Sequence, residues 1–112
     1  MPSFEPGDII KVPFPYTDRA TRQRRPALVV AAHALETNHG LLWVLMITSA
    51  ENRRWPDDIA IPVATRSGLP SPSVIRPAKI ATIEVRDAEP LGRITADTLA
   101  AVSRKLAATL DL

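Results

Sequence analysis

Apolar and polar residues alternate near the start of the chain. Ile10, Val12 and Phe14 share one face of an extended segment, with Ile9, Lys11 and Pro13 on the other, the two-residue period of a strand with one buried side. Gly7-Asp8 before it is a turn signal, and Pro13 and Pro15 end it, because proline has no N–H to give to a ladder. Residues 16–23 form a polar loop. Residues 26–32 are a continuous apolar run of strand length, and residues 41–47 are a second, rich enough to be buried on both faces. Ile59 and Ile61 mark a shorter strand. Residues 73–83 read as one or two strands, broken or placed at a sheet edge by Pro77. The period then changes: Leu99, Val102, Leu106 and Leu110 recur at spacings of three and four, the stripe of an amphipathic helix, with Arg104 and Lys105 opposite. Thr95 caps this helix and Asp97 favours its first turn. Short strands followed by one helix predict a mainly β fold, a small barrel or sandwich with a C-terminal helix packed on it.

The chain has 112 residues, 46% hydrophobic and 23% charged, which fits a single domain spanning 1–112 with its own core. Without repeats or a low-complexity linker, its eleven prolines are scattered through turns and strand ends. There are no cysteines, so disulfides, thiolate metal sites and cysteine nucleophiles are excluded and a reducing compartment fits. Residues 1–8 carry two acids and no basic side chain, unlike a signal peptide, and no apolar run approaches the about 18 residues of a membrane span. A cytoplasmic protein with no membrane partner is expected.

The net charge of +2 says little about a polyanion, but its distribution says more. Arg19, Arg22, Arg24 and Arg25 fall close together with no acid among them, and Arg53 and Arg54 form a second pair. Arginine's planar fork matches phosphate oxygens as lysine does not. The alternative is a solvated loop.

Several chemistries have no footing. There is no glycine-rich phosphate loop and no cluster of histidines and acids at metal-ligand spacing, so no cofactor is expected. The two histidines, His33 and His39, lie near a predicted loop, and nothing places them together as an acid–base pair. Glu51, Asp57 and Asp58 read as solvated loop charges more readily than as a carboxylate site.

Residues 7–18, with Gly7-Asp8-Ile9-Ile10-Lys11-Val12-Pro13-Phe14-Pro15-Tyr16-Thr17-Asp18, resemble the opening of the MazF/PemK toxins. Arg24-Arg25-Pro26-Ala27-Leu28-Val29-Val30 resembles their second hallmark, an Arg-Pro pair leading into a hydrophobic strand. Met46-Ile47-Thr48-Ser49 resembles a third, a buried strand closed by threonine. Ser73-Val74-Ile75, Lys79-Ile80-Ala81-Thr82-Ile83 and Leu91-Gly92-Arg93-Ile94 follow in the family's order, so the resemblance spans nearly the whole chain. It implies an SH3-like small barrel, shared with the gyrase-poisoning CcdB toxins, and a homodimer. It also implies sequence-specific, metal-independent cleavage of single-stranded RNA and a cognate antitoxin that blocks the cleft.

By the same resemblance Arg25 and Thr48 are the catalytic residues, Ser49 is a neighbouring RNA contact, and Lys79 stands where many members have a glutamine near the substrate. Ala20 stands where many members have a glutamate, and Ala78 where an acid or amide is usual. These departures bear on base recognition more than on chemistry. Arg22, Arg24, Arg53 and Arg54 are expected to track the RNA backbone, and Tyr16 to line the cleft. Trp55, beside arginines in a polar loop, either stacks a base or packs as a lid on the barrel rim; Trp43 and Phe14 read as core.

RNA carries its own nucleophile, the 2′-hydroxyl. The protein must chiefly stabilise charge on the phosphorane, which a fixed guanidinium does with two parallel bonds. A β-branched threonine holds a second donor in place at small entropic cost. Read without the resemblance, Arg25 is a surface ion-pair partner, for instance of Asp18, and Thr48 an ordinary strand residue. Two other functions compete: an inactive homologue that only binds RNA or antitoxin, and a gyrase-directed CcdB-like toxin. Arg25 and Thr48 weigh against the first, and the ordinary amphipathic C-terminal helix against the second.

Overall fold

The computed structural model describes residues 3–13, 24–52, 54–62 and 68–112. Within them the chain runs β1 (Asp8–Pro13), β2 (Arg24–Ala31), α1 (His33–His39), β3 (Leu41–Ser49), β4 (Ile59–Ile61), β5 (Ser73–Glu84), a 3-10 turn (Val85–Asp87), β6 (Glu89–Arg93) and α2 (Ala96–Thr109). The strands form one antiparallel sheet in the order β4-β5-β3-β2-β1-β6. The barrel expected from the sequence is a curled half-barrel with the C-terminal helix against it. No helix among the described residues is long and apolar enough to cross a membrane.

Successive strand residues point to opposite faces, and here both faces are covered. Ile10, Val12, Ala27, Val29, Leu42, Val44, Ala81 and Ile83 pack with Phe4 and Ala32 in one core. Ile9, Leu28, Leu45, Ile47, Ile61 and Ile75 pack with Ile94 and Val102 in the other. Val102 comes from α2, whose Leu99 and Leu106 pack beside it. Thr95 caps that helix as its sequence predicts, its hydroxyl accepting from Thr98 N at 3.2 Å. The helical stripe stops short of its last member, for Leu110 is 58% exposed.

Three expectations need correction. Residues 41–47 are buried on both faces, Leu42 and Val44 in one core and Leu45 and Ile47 in the other, but Trp43 is not core: it is 45% exposed, standing with Ile80, Thr82 and Leu110 along a shallow apolar groove. Trp43 shares its face with Leu45 and Ile47 but stands at the end of β3 away from the core they enter. Residues 73–83 are not broken, and Pro77 lies at a sheet edge, because the three residues of β4 cover only Ser73–Ile75. β5 is continuous and pairs along β3, where Leu45 meets Ile80 and Met46 meets Arg76. Residues 77–79 therefore bulge out of the ladder, which accommodates the missing N–H of Pro77. Asp58 is not solvated, as shown below. The sequence also gave no hint of α1 or β6. Both histidines belong to α1, a seven-residue helix ended by Gly40 at φ +65°, whose N–H donates to Glu36 O at 2.8 Å.

Candidate functional site

Ala27 of β2 pairs with Met46 of β3. The β2–β3 ladder ends at that pair, and Arg25 and Thr48 each lie two residues beyond it, on the same face as their paired neighbours. Both line a groove of about 320 Å³ with Lys11, Pro26, Ile47, Ser49, Asn52, Ser71 and Ser73. Lys11 comes from β1, where it pairs with Pro26.

The far wall is the segment from Gly68 to Ser73, which also lines the groove. Ala50 N donates to Pro72 O at 3.0 Å and ties this wall to the end of β3. Gly68 has φ +74°, and a methyl on it would lie 2.2 Å from the carbonyl oxygen of Leu91 in β6. Gly68→Ala must therefore push the wall off β6 and strain the backbone, at a cost of roughly 1–3 kcal/mol. Denaturant unfolding should show that loss, and an unchanged midpoint would mean that the wall does not rest on β6.

Arg25 is partly buried, and its Nε is fully buried with no hydrogen-bond partner among the described residues. A buried unpaired donor is costly and rare. Asp18, the ion-pair partner weighed above, lies outside the described residues. Thr48 has a neighbour that sequence reasoning missed: Asn52 Nδ2 donates to Thr48 Oγ1 at 2.6 Å. Ser49 builds the turn between them, its hydroxyl accepting from Glu51 N at 3.2 Å and its carbonyl from Asn52 N at 3.1 Å. Lys11 was missed too. Its outward place in the Ile10-Lys11-Val12 alternation marked it as exposed, but its position beside Arg25 needs the β1–β2 register.

The remaining candidates separate. Arg24 faces away from Arg25, forms an ion pair with Glu89, and donates to Asp87 O at 2.6 Å. Arg54, Trp55 and Lys79 belong to a second group, at the β5 bulge. Arg76 stands over the Trp55 ring with its guanidinium carbon 4.6 Å from the centroid, and Lys79 Nζ at 5.3 Å. The backbone N–H of Trp55 donates to Asp58 Oδ2 at 3.0 Å. Arg76 grips the same carboxylate through Nε at 3.1 Å and Nη2 at 2.9 Å, with both side chains buried. Burial pushes the Asp58 carboxyl up. The Arg76 hydrogen bonds, the Trp55 N–H and the charges of Arg76 and Arg54 outweigh this and hold it below the usual aspartate value. Tyr16, Arg22, Arg53 and Phe14 lie outside the described residues.

A family model described as the PemK-like, MazF-like toxin of type II toxin–antitoxin systems matches residues 5–110. The chain belongs to this family. Among solved structures, MazF (Form-I) from Deinococcus radiodurans is 25% identical, covers 100% of both chains and superposes with a TM-score of 0.80. A MazE–MazF complex (Form-II) from the same organism is 25% identical over 100% of this chain and 99% of the other, at 0.78. An endoribonuclease in complex with its cognate antitoxin, from Mycobacterial species, covers 100% of this chain and 97% of its own at 0.76. Its 18% identity bears on the fold alone. No curated protein sequence matches the chain. MazF/PemK membership is thus carried by a match over nearly all of the sequence, and the MazF fold accounts for all of it.

Proposed function

We propose that this MazF/PemK chain is an endoribonuclease toxin that cuts single-stranded RNA at preferred sequences, using the RNA's own 2′-hydroxyl and no metal. The observation that carries the proposal is the Arg25 guanidinium, its Nε buried and unpaired, in a groove it shares with Thr48. A groove that holds a guanidinium with no ion-pair partner among the described residues suits a phosphate. The 2′-oxygen attacks phosphorus, the bond to the 5′-oxygen breaks, and a 2′,3′-cyclic phosphate and a 5′-hydroxyl result. Arg25 stabilises charge on the non-bridging oxygens with two parallel bonds, and Thr48 donates a third. Each belongs to a central strand rather than a loop, so neither donor has to be ordered when RNA arrives.

Around this pair, Lys11 and Ser49 hold the strand, and Lys79 meets it farther along, in the second group with Trp55. Arg22, Arg53 and Arg54 add charge along its backbone, and Tyr16 and Trp55 bear on its bases. Arg24 adds least, because Glu89 already neutralises it. The active form is a cytoplasmic homodimer, blocked by a cognate antitoxin that covers the groove. MazF from Deinococcus radiodurans with its MazE partner, at 25% identity, supports this pairing.

Wild-type protein incubated in EDTA with a long single-stranded RNA should release fragments ending in cyclic phosphate and beginning with 5′-hydroxyl. A 2′-O-methyl sugar on the 5′ side of a mapped cut should abolish cleavage there. Magnesium-dependent cutting, or cutting of the blocked RNA, overturns the mechanism. Intact RNA with binding retained would instead identify an inactive homologue.

A further inference from the structure

A threonine hydroxyl has one proton and two acceptor positions. Which neighbour it meets decides whether that proton is available to a substrate. At Thr48 the neighbour is the Asn52 carboxamide nitrogen, 2.6 Å from Oγ1. That nitrogen only donates, so the bond occupies a lone pair and leaves the Thr48 proton uncommitted. A donated bond also polarises the hydroxyl, making it a better donor in turn.

The geometry is held by backbone. Directly after β3 the chain makes a tight turn in which Asn52 N donates to Ser49 O at 3.1 Å. Glu51 N donates to Ser49 Oγ at 3.2 Å, and Ala50 N to Pro72 O at 3.0 Å. The asparagine side chain therefore folds back over the last turn of chain onto Thr48, whose branched Cβ allows few rotamers. Both residues line the groove beside Arg25.

We infer that Asn52 is a positioning residue: it holds Thr48 Oγ1 as an acceptor of the Asn52 amide, so that the hydroxyl donates into the groove, toward the phosphate oxygen. This inference rests on the donor role proposed for Thr48. It makes the turn at 49–52 part of the site, although Asn52 forms no bond to the reacting atoms.

The test compares Asn52→Ala, Asn52→Asp, Thr48→Ala and the double alanine variant on one RNA at a cut mapped with the wild type. kcat, KM and the thermal midpoint are measured for each. Asn52→Ala should lower kcat about tenfold, the loss of one aligned hydrogen bond, and leave KM within about twofold. Asn52→Asp has the same shape but can only accept; it captures the Thr48 proton and should fall about a hundredfold. The double variant should be no slower than Thr48→Ala alone, because Asn52 has nothing left to position. Thermal midpoints should stay at the wild-type value.

A double variant slower than Thr48→Ala by the full Asn52→Ala factor overturns the inference, since Asn52 would then act on RNA directly. So does an Asn52→Asp loss no greater than that of Asn52→Ala. Wild-type rates for Asn52→Ala beside a slow Thr48→Ala overturn the inference alone. Wild-type rates for Thr48→Ala overturn the proposed donor and the positioning role with it.

Discussion

Arg25→Ala should slow RNA cleavage by about a hundredfold to a thousandfold, the usual cost of removing a preorganised donor to a developing oxyanion. The fold should not suffer. Arg25 forms no ion pair among the described residues, and its Nε is buried without a partner, so the substitution removes a burden from the native state rather than a support. The thermal midpoint should hold or rise slightly while activity collapses, a combination that a merely structural arginine cannot produce. Arg25→Lys should rescue little, because an ammonium lacks the two parallel N–H groups. Initial rates on a fixed RNA check this, and a wild-type rate for the alanine variant removes Arg25 from the site.

Asp58→Ala should have the opposite profile, a large loss of stability from a residue outside the groove. It leaves Arg76 buried without its carboxylate and takes the acceptor from the Trp55 N–H. Breaking one side of a buried ion pair costs about 3–5 kcal/mol, a large share of the roughly 5–15 kcal/mol that holds a domain together. Urea unfolding would show it as a lower midpoint, and an unchanged midpoint would mean that the pair is worth nothing. The pH dependence has a definite sign. The Asp58 carboxyl is held below its unfolded value, so its contribution is fully present above the unfolded value of about 3.9 and fades as pH falls through the lower folded value. Asp58→Asn should flatten that acid limb.

Which parts of this were legible beforehand follows from where each signal resides. Alternation in β1 and the three-and-four spacing in α2 are local, and both elements form where it places them, although β1 is covered on both sides because Ile9 enters the second core. The placement of β2 and β3 was equally legible, though the apolar run misled about Trp43. α1 and β6 were missed because their sequences, HALETNH and EPLGR, carry neither an apolar stripe nor strand-favouring residues; tertiary contact decides them. At Pro77 the edge reading holds and the break does not, because a bulge removes the need for its N–H, and bulges leave no periodic trace. At the site, Arg25 and Thr48 were named through a family resemblance. Their meeting depends on a register that pairs Ala27 with Met46, which no single segment reveals. Asn52 was invisible because its role depends on the shape of one turn.

The separation between the strands that hold Arg25 and Thr48 and the loops that wall the groove has a bearing on descent. β2 and β3 each contribute side chains to both cores, so nearly any change in them is a change to the whole molecule. The wall from Leu69 to Ser71 touches the same groove from a connecting segment, which tolerates replacement far better. On the reading proposed above, a lineage carrying this chain can exchange its loops and acquire a new RNA target while the cutting pair stays fixed. Closely related copies could then coexist in one genome, each cutting different messages and each answering to its own antitoxin.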